Sequence, residues 1–116
     1  LIMLVPVLAP VAKTYGIDPN KIGIIGFSAG GTVTLGATLI YDAISKPNFS
    51  APIYPYATYF KDIKVPVDAP PMFICVATDD SFGFAPSSAN LYNTWIKAKK
   101  GAELHIFSTG GHGFGM

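Results

Sequence analysis

A serine stands at the centre of the pentapeptide Gly-Phe-Ser-Ala-Gly, residues 26–30. The apolar run Lys21 to Phe27 precedes it, and a stretch compatible with a helix follows from Ala29. Gly-x-Ser-x-Gly between a strand and a helix is the pattern of a nucleophile elbow, a sharp turn that exposes the serine hydroxyl. The same residues also suit a glycine-rich turn that only packs a helix against a strand. Because a serine hydroxyl is a weak nucleophile by itself, Ser28 needs a base to act.

Acidic and basic partners follow two further apolar runs. Residues 72–77 precede Asp79 and Asp80, and residues 102–107 precede His112. Active sites of open parallel sheets lie just past the carboxyl ends of the strands. The chain order of serine, aspartate and histidine is that of α/β-hydrolases, and it differs from the orders in chymotrypsin and subtilisin. The pattern therefore predicts a hydrolytic site in which either aspartate is the acid.

The elements that must position these residues alternate between strand and helix. The 116 residues allow one domain. Periodicity and breakers predict strands at Lys21–Phe27, Ala51–Tyr54, Pro71–Ala77 and Glu103–Phe107, and helices at Ala29–Tyr41 and Pro86–Lys99, the second capped by Ser87 or Ser88. This alternation predicts an α/β fold with a parallel sheet of about four strands, flanking helices and right-handed crossovers. Three glycines in the first helix, Gly30, Gly31 and Gly36, are expected to allow close packing on the sheet.

Composition excludes several classes of function. The formal net charge is +1, and the densest basic cluster is Lys97, Lys99 and Lys100, which argues against nucleic-acid binding. The apolar runs are too short or too interrupted for a spanning helix, so no membrane is expected. The only cysteine, Cys75, lies in an apolar run and is interpreted as a core residue. Two histidines without metal-ligand spacing predict neither a metal nor a cofactor.

Several quoted segments together carry a family resemblance: Tyr-Gly-Ile-Asp-Pro-Asn-Lys-Ile from residue 15, the serine pentapeptide, Pro-Pro-Met-Phe-Ile from residue 70, the paired aspartates, Glu-Leu-His-Ile-Phe from residue 103, and Gly-Gly-His-Gly-Phe-Gly at residues 110–115. In these segments the chain resembles the carboxyl-terminal half of an α/β-hydrolase of the dienelactone hydrolase/acetyl xylan esterase type. The resemblance implies that residues 1–116 are a single, incomplete α/β-hydrolase domain. It implies that the earlier strands, with a loop that completes the oxyanion hole, and the last helix are absent.

Carried over residue by residue, the resemblance makes Ser28 the nucleophile, His112 the general base and acid, and Asp80 the acid that orients the histidine. The N–H of Ala29, which follows the nucleophile, would be one oxyanion-hole donor. The family's aspartate typically lies three residues before Val-Pro, where this chain has Gly-Phe at residues 83–84. Asp79 therefore stays an alternative acid.

The activity expected from the resemblance is hydrolysis of small carboxylic esters through an acyl-enzyme, with acylated carbohydrate as one candidate substrate. The alternatives are a serine peptidase of the prolyl-oligopeptidase type and a non-catalytic fragment of a hydrolase. With one oxyanion donor, the chain alone is expected to be a poor catalyst. Strand 21–27 would lie at an apolar sheet edge, which predicts a homo-oligomer.

Other residues near these motifs have simpler interpretations. His105 lies in the middle of a strand and is expected to be structural. The phenylalanines Phe82, Phe84 and Phe114 either line a pocket for the acyl or leaving group or pack in the core. Tyr54, Tyr56 and Tyr59 lie in a loop region and could equally line such a pocket or be packing residues.

Overall fold

A four-stranded parallel sheet forms the centre of the computed structural model, which describes residues 11–115. The strands lie side by side in chain order, and every neighbouring pair is parallel. They are β1 (Gly23–Phe27), β2 (Phe49–Ile53), β3 (Met72–Ala77) and β4 (Ala102–Phe107); the helices are α1 (Ala29–Leu39) and α2 (Ala85–Lys97), with a 3-10 helix at Ala57–Phe60. The predicted α/β class and parallel sheet are confirmed. Expectations for residues 1–10 lie outside the described residues.

Every predicted element differs from the observed one by one or two residues at one or both ends, and the differences at β2 and at the start of α2 have a clear physical reason. Strand β2 ends before Tyr54, whose φ of 36° takes the backbone out of the extended conformation. Helix α2 begins at Ala85, directly after Phe84, so the predicted serine cap is wrong. Proline is favoured in the first turn of a helix, where its missing N–H costs nothing, and Pro86 therefore lies inside the helix rather than before it.

Both helices pack on the same face of the sheet. Leu35 of α1, Ile74 of β3 and Trp95 of α2 belong to one buried cluster, and each of these side chains is completely buried. The indole Nε1–H of Trp95 donates to the carbonyl oxygen of Pro70 at 3.1 Å, so the one polar atom of this side chain is satisfied. The cluster thus packs both helices against β3.

Strand β1 lies at one edge of this sheet. Backbone bonds to the neighbouring segment come from Ile22 O and Ser28 N, so even-numbered residues of β1 face β2. In a parallel pair, a residue directs its N–H and C=O to the same side, so those of Ile25 face outward. The Ile25 side chain is 63% exposed. Among the described residues, β1 thus presents an unpaired apolar edge.

No helix within residues 11–115 has the length and the apolarity that crossing a membrane would need.

Helix α1 approaches β1 and β2 so closely that two glycines are required. A Cβ atom on Gly26 would lie 2.2 Å from the carbonyl oxygen of Gly30, and one on Gly31 would lie 2.6 Å from the carbonyl oxygen of Ile53. Gly30 differs, because a Cβ atom there would meet no described atom within 4 Å. The expectation of close packing on the sheet therefore holds for Gly31 and is wrong for Gly30.

Two glycine substitutions in the same helix test this approach. We expect Gly31→Ala to lower the free energy of unfolding by about 1–3 kcal/mol, because the added methyl group displaces the backbone of β2. Gly30→Ala is the matched control, and it should be neutral or stabilising by up to about 1 kcal/mol, the helix-propensity gain. Urea denaturation measures both. Equal effects of the two changes would contradict the close approach.

Candidate active site

The segments that follow the four strands meet at one edge of the sheet, because the strands are parallel. Ser28 follows β1 directly, Tyr54 follows β2, Asp80 lies three residues after β3, and His112 lies five residues after β4. This carboxyl edge is the usual position of a site in a parallel α/β sheet.

Ser28 occupies a strained turn between β1 and α1. Its φ of 53° and ψ of −119° fall in a region that non-glycine residues rarely adopt, at a cost of order 1–3 kcal/mol. Backbone bonds hold the turn on both sides: Ser28 N–H donates to Ile53 O at 3.0 Å, and Thr32 N–H donates to Ser28 O at 2.9 Å. The predicted strand–turn–helix context of the serine is present.

The serine hydroxyl is hydrogen-bonded to a histidine, which is in turn hydrogen-bonded to a buried carboxylate. Ser28 Oγ lies 2.7 Å from His112 Nε2, and His112 Nδ1 lies 2.8 Å from Asp80 Oδ2. A carboxylate only accepts hydrogen bonds, so Nδ1 carries the donated proton. In the neutral ring Nε2 is then an acceptor for the serine hydroxyl. This arrangement can remove a proton from Ser28 and hold the resulting imidazolium beside a negative charge.

The two neighbouring aspartates have different partners. The Asp80 side chain is fully buried, and its second oxygen accepts the Phe82 N–H at 2.8 Å. Asp79 is exposed, and its Oδ1 accepts the Gly111 N–H at 2.7 Å, a bond that lowers the pKa of this carboxyl. Asp80 is therefore the aspartate that contacts His112, whereas Asp79 holds the backbone immediately before the histidine.

Aromatic rings surround the imidazole of His112 and leave its side chain 14% exposed. The ring centroids of Phe82, Tyr54 and Phe84 lie 4.6, 4.9 and 5.6 Å from that of the histidine, all edge-on. Such arrangements are the favourable ones for aromatic pairs. Phe114 instead packs on Tyr54, with 5.1 Å between centroids, and belongs with the core.

Tyr54 has a larger role at this site than the sequence indicated. Its ring is completely buried, and its hydroxyl donates to the carbonyl oxygen of Phe114 at 3.1 Å. Burial is the main cause that raises the pKa of this phenol, so it remains a donor at neutral pH. Tyr54 thus ties the end of β2 to the segment that carries His112. Its position directly after an apolar strand was the one available signal in the sequence.

Ala29 is the first residue of α1, so its backbone N–H has no partner within the helix. Together with Ser28 it lines an open cleft of about 360 Å³. The positive end of the helix dipole lies at the same point. The helix start thus lies at the cleft, where the sequence predicts an oxyanion donor at Ala29.

The remaining histidine and cysteine lie outside this group. His105 is half-exposed and contacts Glu103 on its own strand. Cys75 is buried in β3 with a free thiol, whose pKa is raised by burial. Among residues 11–115, no group of three or more histidine, cysteine, aspartate and glutamate side chains is arranged to hold a metal ion.

The fold and the site place the chain among α/β-hydrolases, and comparison with known proteins gives its family. The sequence pattern of the Dienelactone hydrolase family matches residues 7–116. The chain therefore belongs to the dienelactone hydrolase family, a family of the esterase and hydrolase type. The predicted family resemblance is confirmed.

Individual relatives agree with this assignment. An acetylxylan esterase of Xylanibacter ruminicola is 28% identical over 135 residues, a match that covers 90% of this chain and 28% of the esterase. The α/β hydrolase MGS-M1, from a Medee basin deep-sea metagenome library, is 31% identical with a TM-score of 0.77 and covers 94% of this chain and 47% of its own. An acetyl ester-xyloside bifunctional hydrolase of Caldicellulosiruptor lactoaceticus shares the fold, with 24% identity, a TM-score of 0.83 and coverage of 98% and 56%. The chain thus spans about half or less of these relatives' lengths.

The hydrogen bond of Asp79 predicts a pH-dependent effect on stability. The pKa of Asp79 is lowered in the folded state, so its contribution is present above the unfolded value of about 3.9 and is lost as the pH falls through the folded pKa. We expect Asp79→Asn to lower the urea midpoint at pH 7 and to have a shrinking effect below about pH 3.9. Asp62→Asn, at an exposed loop carboxylate, is the control and should have no such effect. A pH-independent difference for Asp79→Asn would contradict the interpretation.

Proposed function

We propose that this chain carries the catalytic centre of a carboxylic-ester hydrolase, with Ser28, His112 and Asp80 as its triad. The observation that supports the proposal best is the continuous hydrogen-bond path from the serine hydroxyl through both ring nitrogens to a buried carboxylate. A structural serine would need neither a strained backbone nor a histidine whose tautomer is set by a buried acid. The family assignment supports the same chemistry.

The reaction would proceed in two halves. Ser28 Oγ attacks the ester carbonyl carbon, and its proton passes to His112 Nε2. The C–O bond to the alcohol then breaks, and the alcohol leaves with the proton from Nε2. Water attacks the resulting acyl-enzyme, again giving its proton to His112, and the carboxylic acid and free Ser28 are restored. Asp80 keeps the imidazole in the reactive tautomer and stabilises its cation during both halves.

Charge on the carbonyl oxygen would be stabilised by the N–H of Ala29. This group is a preorganised donor at a helix start, which suits a developing negative charge. Each such donor typically contributes about 10²–10³ in rate. Because the described residues supply this one donor, we expect slow turnover by the chain alone.

Small neutral esters are the proposed substrates, and acylated carbohydrates are one candidate class. The carbohydrate candidate is supported by the names of the Xylanibacter relative and of the Caldicellulosiruptor hydrolase. A serine peptidase would use the same three groups, and the family assignment favours ester hydrolysis over it.

Covalent labelling with a fluorophosphonate probe tests the proposed triad without requiring turnover. We expect the probe to label Ser28 in the unmodified chain and not in Ser28→Ala. Asp80→Asn should slow labelling by about 10³–10⁴, because the histidine loses the charge that sets its tautomer. The matched variant Asp79→Asn should change the rate less than tenfold, since Asp79 contacts Gly111 rather than the imidazole. Intact mass measured over time gives all four rates.

The outcomes of this experiment separate the proposals. Absence of labelling in the unmodified chain would support a non-catalytic fragment, and equal slowing by both asparagine variants would contradict the assignment of the acid. Release of p-nitrophenol from its acetate, compared with release of p-nitroaniline from a proline amide, separates an esterase from a peptidase.

We also propose that the chain self-associates along β1. The outward backbone groups of Ile25 can pair with a second copy, and its exposed side chain can be covered in the same contact. A charged residue on an edge strand opposes such pairing.

Light scattering after size exclusion tests self-association at micromolar concentration. We expect a dimer or larger species for the unmodified chain and a shift toward monomer for Ile25→Lys. Val67→Lys, at another strongly exposed apolar residue, is the control and should leave the mass unchanged. A monomeric unmodified chain would refute the proposal.

A further inference from the structure

An aromatic wall borders Ser28 on the open side of the site. The cleft is lined by Ser28, Ala29, Thr32, Tyr56, Phe82 and Phe84. Phe82 and Phe84 stack with 5.6 Å between centroids and 22° between planes, and Tyr56 lies 5.6 Å from Phe84. The ring centroids of Phe82 and His112 also lie 4.6 Å apart in a T-shaped arrangement, so the wall reaches from the imidazole across to Tyr56.

The two outer rings of this wall are exposed, whereas Phe84 between them is partly buried and packs against a core cluster. Phe82 is 66% exposed and Tyr56 is 47% exposed. Contiguous exposed apolar surface on a folded protein commonly marks a place where a ligand or partner binds. Because this surface adjoins the proposed nucleophile, we take its occupant to be a group of the substrate that reacts at Ser28.

The polar groups beside Ser28 are already used, and the lining residues offer the Tyr56 hydroxyl as a further polar group. Thr32 Oγ1 accepts the Tyr56 N–H at 2.9 Å and donates to Ser28 O at 3.3 Å. The Ser28 hydroxyl and the Ala29 N–H are committed to the reacting carbonyl. None of the described lining residues carries a charge. A carboxylate placed here would meet no cation among the described lining residues, and a sugar hydroxyl against Phe82 or Phe84 would lose water without gaining a matching partner.

We infer that the cleft holds an alkyl or aryl substituent of a neutral ester, lying against Phe82, Phe84 and Tyr56. This inference rests on the proposed function and extends it to a substrate class. It disfavours esters whose substituent at the wall is a carboxylate or a bare acetyl group. Among acylated carbohydrates it therefore favours those with a longer or aromatic acyl group over acetylated ones. The substituent comes either from the acyl side or from the alcohol side of the ester, and the two have the same chemistry at the wall.

Two series of esters show whether the substituent at the wall belongs to the acyl side or to the alcohol side of the ester. The acyl series is p-nitrophenyl acetate, butyrate and hexanoate, and the alcohol series is ethyl, butyl and hexyl acetate. In one of the two series we expect kcat/KM to rise about fourfold per methylene, the ratio that corresponds to burial of about 0.8 kcal/mol per CH2. The p-nitrophenyl half-ester of glutaric acid should react at least tenfold more slowly than p-nitrophenyl butyrate if the acyl group lies on the wall.

Variants of the aromatic wall test whether these rings cause the selectivity for longer substituents. Phe82→Ala removes a largely exposed ring and retains the backbone hydrogen bond to Asp80. It should at least halve the slope of the logarithm of kcat/KM against the number of methylene groups. The ratio within a series is the readout, because it cancels any change in the reactivity of His112. Tyr59→Ala, at an aromatic residue of similar exposure outside the cleft, is the control and should retain the full slope.

The outcomes separate this inference from the proposed function. If the probe labels Ser28 but both series are flat within twofold, or if Phe82→Ala keeps the full slope, the inference is overturned and the hydrolase remains. If Ser28 is not labelled and no ester is cleaved, both fall together. A rise in either series that is lost in Phe82→Ala and retained in Tyr59→Ala supports the inference.

Discussion

The close approach of α1 to the ends of β1 and β2 is the constraint on which the site depends. It brings the backbone of Gly31 so close to the carbonyl oxygen of Ile53 that a Cβ atom on Gly31 would not fit, and it requires the chain to reverse sharply at Ser28. The turn has an unfavourable backbone conformation, and two backbone hydrogen bonds hold it: Ser28 N–H donates to Ile53 O, and Thr32 N–H donates to Ser28 O. The strain is local, whereas the packing that opposes it belongs to the whole helix–sheet layer. A weaker contact between α1 and the sheet would let the serine relax out of line with the histidine.

The segment with His112 is held from three directions, none of which comes from its own strand. Asp79 binds the backbone at Gly111, Asp80 binds the imidazole, and Tyr54 binds the carbonyl of Phe114. These anchors lie after β2 and β3, so the geometry of the histidine depends on the register of the middle strands. The aromatic packing around the ring excludes water from the hydrogen bond to Asp80, which strengthens that bond.

The fold was largely predictable because each element has a clear local signal. Apolar runs of five or six residues bounded by turns form the parallel strands, and the alternation with helices leaves few possible topologies. The boundaries were less predictable, as Tyr54 illustrates. Its residue type suits a strand, but its backbone turns so that the ring reaches the histidine. The prediction that Gly30 allows close packing on the sheet was also wrong, because a glycine in a small-residue motif need not lie at a close contact.

By itself, the sequence determined the family, the parallel sheet, and the serine, aspartate and histidine that follow its strands, because these depend on local patterns and chain order. It favoured Asp80 only through the family resemblance and kept Asp79 as an alternative acid, and it left the phenylalanines divided between pocket and core. Only the tertiary structure separated them. Adjacent side chains in a turn point in different directions, so Asp80 contacts the imidazole while Asp79 reaches Gly111. Likewise, Phe82 borders the cleft, Phe114 packs against the core, and Phe84 does both, because contacts between distant segments decide which ring is covered.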